Sequence, residues 1–336
     1  MVREVASLPG PQNGASVACS IVIRAFNEEQ HIGRLLDGIQ EQSVGSIEII
    51  LVDSGSTDAT VATARQHAGR CPLKVVHIRP ESFTFGYSLN QGIAQASHEL
   101  VVIASAHVYP IYPDWLERLL APFEDPQIAL AYGKQRGNDC TKFSEHQIFA
   151  AWYADRSQPR QPYPFCNNAN AAIRRSLWQK IPYDETLPGL EDLAWAHRIM
   201  AQGYAISYIA EAEVAHVHHE TPHGVFNRYR REAMAFKHLF PQEHFRLWDF
   251  IRLFTSNATS DLWHAARQRK LTQKGVVPGI LWFRWMQFWG TYQGYRHAGP
   301  LTWQLRQTFY YPRGVTFSPE NTARHIPPIQ YPQDPL

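Results

Sequence analysis

Five short, mostly apolar runs punctuate the first part of the chain: Ser20–Arg24 (SIVIR), Ile47–Val52 (IEIILV), Leu73–Ile78, Leu100–Ser105 and Ile128–Tyr132. They are too short for helices, and they lack the strict alternation of a half-exposed strand, so they read as strands buried on both faces. Helical patterns separate them. Ile32, Leu35, Leu36 and Ile39 recur at helical spacing, a helix is expected around Ala59–His67, and Pro113 precedes another with Trp115, Leu116, Leu119 and Leu120 on its apolar side. Alternation of this kind predicts an α/β domain, Rossmann-like, with a mainly parallel sheet covered on both faces. Ligands then gather beyond the carboxyl ends of the strands. Those ends present Arg24 to Glu28, Asp53 to Asp58, and Ser105 to His107.

Beyond residue 135 the pattern loosens: helices are expected over Phe143–Ala154 and Glu191–Gln202, and strands over Ala169–Ile173, Ala205–Ile209 and Ala212–His218. The remainder reads as basic helices, clearest over Arg228–Phe240 and Ile280–Arg296. Charge marks the change. Residues 222–336 hold 15 of the 32 Lys and Arg, only 6 of the 30 Asp and Glu, and six of the ten tryptophans. The expected organisation is an N-terminal extension (1–17), an α/β domain (18–221), a basic Trp-rich helical module (222–311) and a Pro-rich tail (312–336).

A basic, Trp-rich module suits an anionic surface such as a bilayer or a lipid-linked acceptor. Its arginines are scattered rather than clustered, which argues against a nucleic-acid partner. The opening residues lack the apolar stretch of a signal peptide, and no run is long enough for a membrane span. Four unpatterned cysteines fit a reducing compartment. The expected location is cytoplasmic, with peripheral contact at the inner face of the membrane.

Three groups carry candidate chemistry. Asp53 ends a buried strand and is followed by SGSTD, whose small residues let a ligand approach; its carboxylate can accept the imide N–H of a pyrimidine or cap the next helix. Glu191 and Asp192 open a helix, where they either complement its dipole or serve as a general base. His216, His218 and His219 fall in AEVAHVHHE, and alternation puts His216 and His218 on one face, able to hold a divalent ion with His107 or to bond at a sheet edge. GxGxxG after the first strand, GxxxxGK[ST], GxSxG and HExxH are absent.

Taken in order, SIVIRAFNEE, IEIILVDSGSTDAT, VIASAHVYPIYPDWL, YGKQRG, NNANAAIRRSLWQKIPYDETLPGLEDLAWAHRIMAQGY and AEVAHVHH resemble the inverting family 2 glycosyltransferases, in particular their rhamnosyltransferase-like branch. The resemblance implies a GT-A fold and transfer of a hexose or rhamnose from a nucleoside diphosphate sugar, a UDP- or dTDP-sugar, to a saccharide or lipid-linked acceptor in polysaccharide or glycolipid synthesis. It implies donor contacts from Arg24, Phe26, Asn27, Glu28, Asp53, Asn90, Ser105 and Lys134. Asp192 matches the catalytic base, with Glu191 beside it, and His216 or His218 matches a histidine that completes a metal site in some relatives.

Two positions depart from the pattern. The family's Asp-x-Asp reads Ser105-Ala106-His107 here, and Leu89 stands where an arginine is frequent. A departing diphosphate gains negative charge, so a replacement for the missing aspartates is required. It is either a divalent metal, Mn or Mg, held by His107, His216 and His218, imidazole favouring Mn, Fe, Co or Zn over Mg, or cations such as Lys134, Arg136, Arg228 or Arg231. A non-catalytic nucleotide-sugar-binding scaffold with a degenerate metal site is the alternative from another class, and a nucleotidyltransferase is a more distant one.

Overall fold

The computed structural model of the protein describes residues 18–218, 221–296 and 326–331. One eight-stranded sheet forms the centre, with strands β1 (Ala18–Ala25), β2 (Ser46–Asp53), β3 (Leu73–His77), β4 (Leu100–Ser105), β5 (Val108–Pro110), β6 (Ile128–Arg136), β7 (Asn170–Arg174) and β8 (Ala205–His216). Their spatial order is β3-β2-β1-β4-β7-β6-β8-β5. Six strands point the same way, while β7 and the short β5 run against them.

The apolar runs are buried on both faces, as their composition demands. Ile21, Ile23, Ile49 and Leu51 face one layer of core, and Val22, Ile50 and Val52 face the other. On the first face lie α1 (Ile32–Gln40), α2 (Thr60–His67) and α4 (Trp115–Leu120); on the second lie α3 (Phe85–Ala94), α5 (Phe143–Trp152), α6 (Arg175–Lys180) and α7 (Glu191–Ala201). Thr84 caps α3 by accepting the Tyr87 N–H, so that helix starts sharply at Phe85.

The strand β5 and the helix α6 are not foreseen by the sequence pattern, and one further element differs from expectation. The two strands foreseen over 205–218 are a single strand ending at His216. Glu211, the only charged residue between the apolar halves, is a single exposed position in an otherwise buried strand, which runs on through it.

Three helices complete the described chain: α8 (Pro222–Leu239), α9 (Leu247–Arg267) and α10 (Val276–Arg296). They share a core of Ala233, Phe236, Phe250, Phe288 and Tyr295, into which Leu193 of α7 projects. A second contact joins Ile148 of α5 to Val225, Tyr229 and Phe283. Between them a buried ion pair, Arg284 to Asp261 at 2.7 and 3.0 Å, also donates to the Ser144 carbonyl of α5. The helices are therefore built onto the α/β body by burial rather than tethered to it. Among the described residues no helix is long and apolar enough to cross a membrane. Residues 1–17 and 297–325 lie outside the described residues, as does most of the Pro-rich tail. Its described part, 326–331, runs along β5, with the Ile329 N–H on the Ile111 carbonyl.

Candidate active site

A cleft of about 450 Å³ opens over the sheet edge where the six co-directed strands end. Its walls come from the ends of β1 (Arg24, Asn27, Glu28), β4 (Ser105, His107) and β8 (His216, His218), from the first turn of α7 (Glu191, Asp192), and from α8 (Arg228, Arg231, Glu232). Asn167 and Asn168 join them because β7 is reversed: its amino end lies where the other strands finish.

Asp192 sits partly buried on the cleft wall. One carboxylate oxygen accepts the Asn168 N–H at 3.1 Å and the other its neighbour Leu193 N–H at 2.8 Å. Burial, reinforced by the adjoining Glu191, pushes its carboxyl up to about 7. Glu191 is held by the Asn168 side-chain amide at 3.2 Å and by Arg24 at 3.5 Å. Leu190, just before the pair, takes the left-handed region at φ 59°, an uncommon conformation for a bulky residue.

Cations stand beside these carboxylates, Arg24 on Glu191 and Arg231 against Gly189. The Phe85 ring lies between the guanidinium groups of Arg24 and Arg231, each 4.8 Å from its centroid. Each guanidinium is attracted to the electron-rich ring, which anchors both side chains at the cleft. Nε of both arginines is buried without a hydrogen-bond partner.

The third group is a histidine trio. β5 pairs with β8 so that Val108 stands opposite His216, and the Val217 N–H reaches the His107 carbonyl, which brings His107 beside His216 and His218. One nitrogen of each ring falls within 4.8 Å of the others. Every Nδ1 meets an oxygen at 2.7 Å: Glu28 for His107, Gln135 for His216 and Glu145 for His218. Burial and the neighbouring His218 and His107 hold His216 far below the usual histidine range, so it is neutral, and its Nε2 is buried without a partner. Burial and Arg228 also lower His218. Burial would raise Glu145, but the His218 hydrogen bond and the charges of His218 and Arg228 outweigh it and hold the carboxyl at about 2.

Of the remaining sequence candidates, Asn27 and Glu28 line the cleft, while Asp53, Phe26, Asn90 and Lys134 are not among its lining residues. Asp53 is buried beside the cleft, its oxygens accepting the Gly55 and Ser56 N–H groups and facing His77 Nδ1 at 3.1 Å. Gly55 has φ 87°, the left-handed turn that this carboxylate spans. Asp58, not Asp53, serves the following helix by accepting the Thr60 N–H. Phe26 projects at the rim, 54% exposed. Asn27 accepts the Thr57 N–H from the SGSTD loop. Glu28 lines the cleft with one carboxylate oxygen engaged by His107 Nδ1 at 2.7 Å. Asn90 holds the fold instead of a ligand: its amide donates to the Tyr183 carbonyl and Glu185 and accepts from Trp178 Nε1 and the Tyr183 N–H. Lys134 pairs with Asp155 at 2.7 Å and is not among the residues that line the cleft. His219 lies outside the described residues. Phe85, Gln135, Glu145 and Asn168 escaped sequence reasoning, and each acts on a partner more than twenty residues away.

Residues 20–181 match the family described as Glycosyl transferase family 2. The O-antigen chain rhamnosyltransferase RfbN of Salmonella typhimurium is 26% identical over 221 residues, 62% of this chain and 69% of that protein. WbaN of Salmonella anatum, also an O-antigen chain rhamnosyltransferase, is 29% identical over 201 residues, 56% of this chain and 62% of its own length. Among solved structures, mannosyltransferase PcManGT from Pyrobaculum calidifontis, in complex with GDP-Man and Mn²⁺, superposes with a TM-score of 0.55 at 19% identity over 87% of both chains. TarS of S. aureus, residues 1–349 with UDP, gives 0.51 at 17% identity, covering 84% of this chain and 92% of that one. These likenesses establish a GT-A architecture, as the order of strands and helices predicts. Residues 20–181 are a family 2 glycosyltransferase domain. The chain that carries it is a glycosyltransferase.

Proposed function

We propose that the chain transfers a sugar, a hexose or rhamnose, from a UDP- or dTDP-sugar to a hydroxyl of a saccharide or lipid-linked acceptor, with inversion. The observation that carries this reading is Asp192, a carboxylate poised near neutrality on the wall of a cleft that Arg24 and Arg231 also line. Near pH 7 it is half ionised, the condition that favours a general base. The acceptor O–H proton passes to a carboxylate oxygen of Asp192 as the acceptor oxygen bonds to the anomeric carbon. The bond from that carbon to the diphosphate oxygen breaks, and its electron pair leaves with the nucleoside diphosphate. Arg24 and Arg231 face the charge that develops, and each such stabilising group is worth a few kcal/mol. Asn168 orients both carboxylates. Phe26 at the rim and Asp53 behind it receive the base.

The buried, unpartnered Nε2 of His216 and three converging imidazoles fit a divalent cation. His107, His216 and His218 would hold it, and a cation there would supply charge to the diphosphate. The test of the transfer reading is a panel of UDP-, dTDP- and GDP-sugars offered to the purified chain with saccharide acceptors. Transfer with an inverted anomeric product from a pyrimidine donor is expected; donor binding with neither transfer nor hydrolysis would instead mark a scaffold.

The membrane reading rests on α9 and the turn after it. Trp248, Arg252, Thr255, Thr259 and Trp263 share one exposed helix face, with the two tryptophans about 22 Å apart at 1.5 Å per residue. Trp248 is 69% exposed and Trp263 stacks on Arg267. Arg246, Arg252, Arg267, Arg269, Lys270 and Lys274 are all exposed, while Asp249 and Asp261 are buried. Such a face suits an anionic bilayer, at about 1 kcal/mol per basic residue near the surface. Co-sedimentation with phosphatidylglycerol vesicles but not phosphatidylcholine vesicles, weakened by salt and by W248A/W263A, is expected; equal recovery with both lipids would overturn it.

A further inference from the structure

The histidine trio resembles a metal centre in a way its position alone does not require. All three candidate ligands are imidazoles, so among the described residues the cluster offers nitrogen and no carboxylate oxygen. Each ring is also oriented from behind. Glu28, Gln135 and Glu145 each take an Nδ1–H at the same 2.7 Å, from three separate elements of the fold. With Nδ1 as donor, Nε2 carries the lone pair, and acceptors placed in this way set ring direction and raise ligand basicity. His216 shows the consequence most plainly, since its Nε2 is enclosed with no protein donor to meet it.

We infer that Nε2 of His107, His216 and His218 forms an all-nitrogen cation centre that prefers Co²⁺ and Zn²⁺ to Mn²⁺ and excludes Mg²⁺, with Glu28, Gln135 and Glu145 as its positioning residues. This rests on the transferase reading for its purpose but not for its chemistry. Mg²⁺ demands oxygen ligands and sheds water reluctantly, whereas imidazole suits the later transition ions. The position that would carry an aspartate in the family carries His107, so preference should follow nitrogen affinity rather than charge. Glu28 thereby changes from a donor-binding residue to one that acts through His107.

The test is direct metal binding to the full chain after chelation, followed by calorimetry and, for Co²⁺, by visible absorption, which reports nitrogen coordination. One Co²⁺ per chain is expected, at least about a hundredfold tighter than Mg²⁺. His216→Ala should abolish binding. Glu28→Gln and Gln135→Ala should weaken it about 10–100-fold with unchanged circular dichroism, while His264→Ala on α9 should leave it alone. Comparable affinity for Mg²⁺, or Co²⁺ binding that survives both His107→Ala and His216→Ala, would overturn the centre. Donor turnover is measured separately. Transfer that proceeds in EDTA, with no Co²⁺ bound by the trio, would leave the function standing and remove the centre. A Co²⁺ spectrum of this kind with no transfer from any donor would do the reverse.

Discussion

Replacing Asp192 by Asn should make the protein more stable and nearly inactive, by amounts that the site geometry sets. Its carboxyl is pushed up to about 7 by burial and by Glu191, so keeping it ionised at about pH 8 costs the fold about 3 kcal/mol once cleft solvent is allowed for. Asn removes that charge. Both carboxylate oxygens, however, accept a backbone N–H, from Asn168 and from Leu193, and an amide can accept through only one of them. The lost bond costs about 1–1.5 kcal/mol, leaving a net gain near 2 kcal/mol and a Tm higher by about 3–8 °C. The pH dependence follows from the direction of the shift. In the fold the carboxyl is protonated below about 7, whereas in the unfolded chain it stays ionised down to about 4, so the native state binds the extra proton between these values. Wild-type stability therefore rises as pH falls through that window, and the advantage of the variant fades near pH 5. Activity moves the other way, since a positioned general base contributes about 10²–10⁴-fold. Calorimetry and initial rates across the same pH series read both quantities. Wild-type turnover by D192N would place the base elsewhere, and a variant less stable than wild type at pH 8 would refute the buried-charge reasoning.

Arg284→Ala should lower stability by about 3–5 kcal/mol, because it leaves Asp261 buried without its partner; a loss below 1 kcal/mol on chemical denaturation would show that solvent reaches the pair. Asn90→Ala should cost about 2–3 kcal/mol through the unmet Tyr183 and Trp178 donors, with donor KM unchanged; a raised KM would restore Asn90 to the donor site. Arg231→Met keeps an apolar side chain against Phe85 but removes charge, and should reduce kcat about a hundredfold with little change in fold; unaltered turnover would deny Arg231 a part in stabilising the leaving group.

The strands, their order of appearance and the helices between them were legible in the sequence because hydrophobic periodicity is local: Ile21, Val22 and Ile23 are apolar since both faces of β1 are covered. For the same reason Asp53, Glu191, Asp192 and the histidines could be picked out as polar groups at strand or helix ends. Their partners could not. Gln135 and Glu145 read as ordinary strand and helix residues and Glu28 as a donor contact, and they reach their histidines across 81, 73 and 79 positions of chain. Asn168 enters the cleft only because β7 runs backwards, and His107 meets His216 only through the register of β5 on β8. Asn90 illustrates the converse, a residue that suggested a ligand contact until the fold supplied four internal partners. Which segments become strands is settled by neighbours a few residues apart, where sterics and burial act. Which way a ring nitrogen points, and whether a carboxylate is costly to ionise, depends on groups that only folding brings within hydrogen-bond distance.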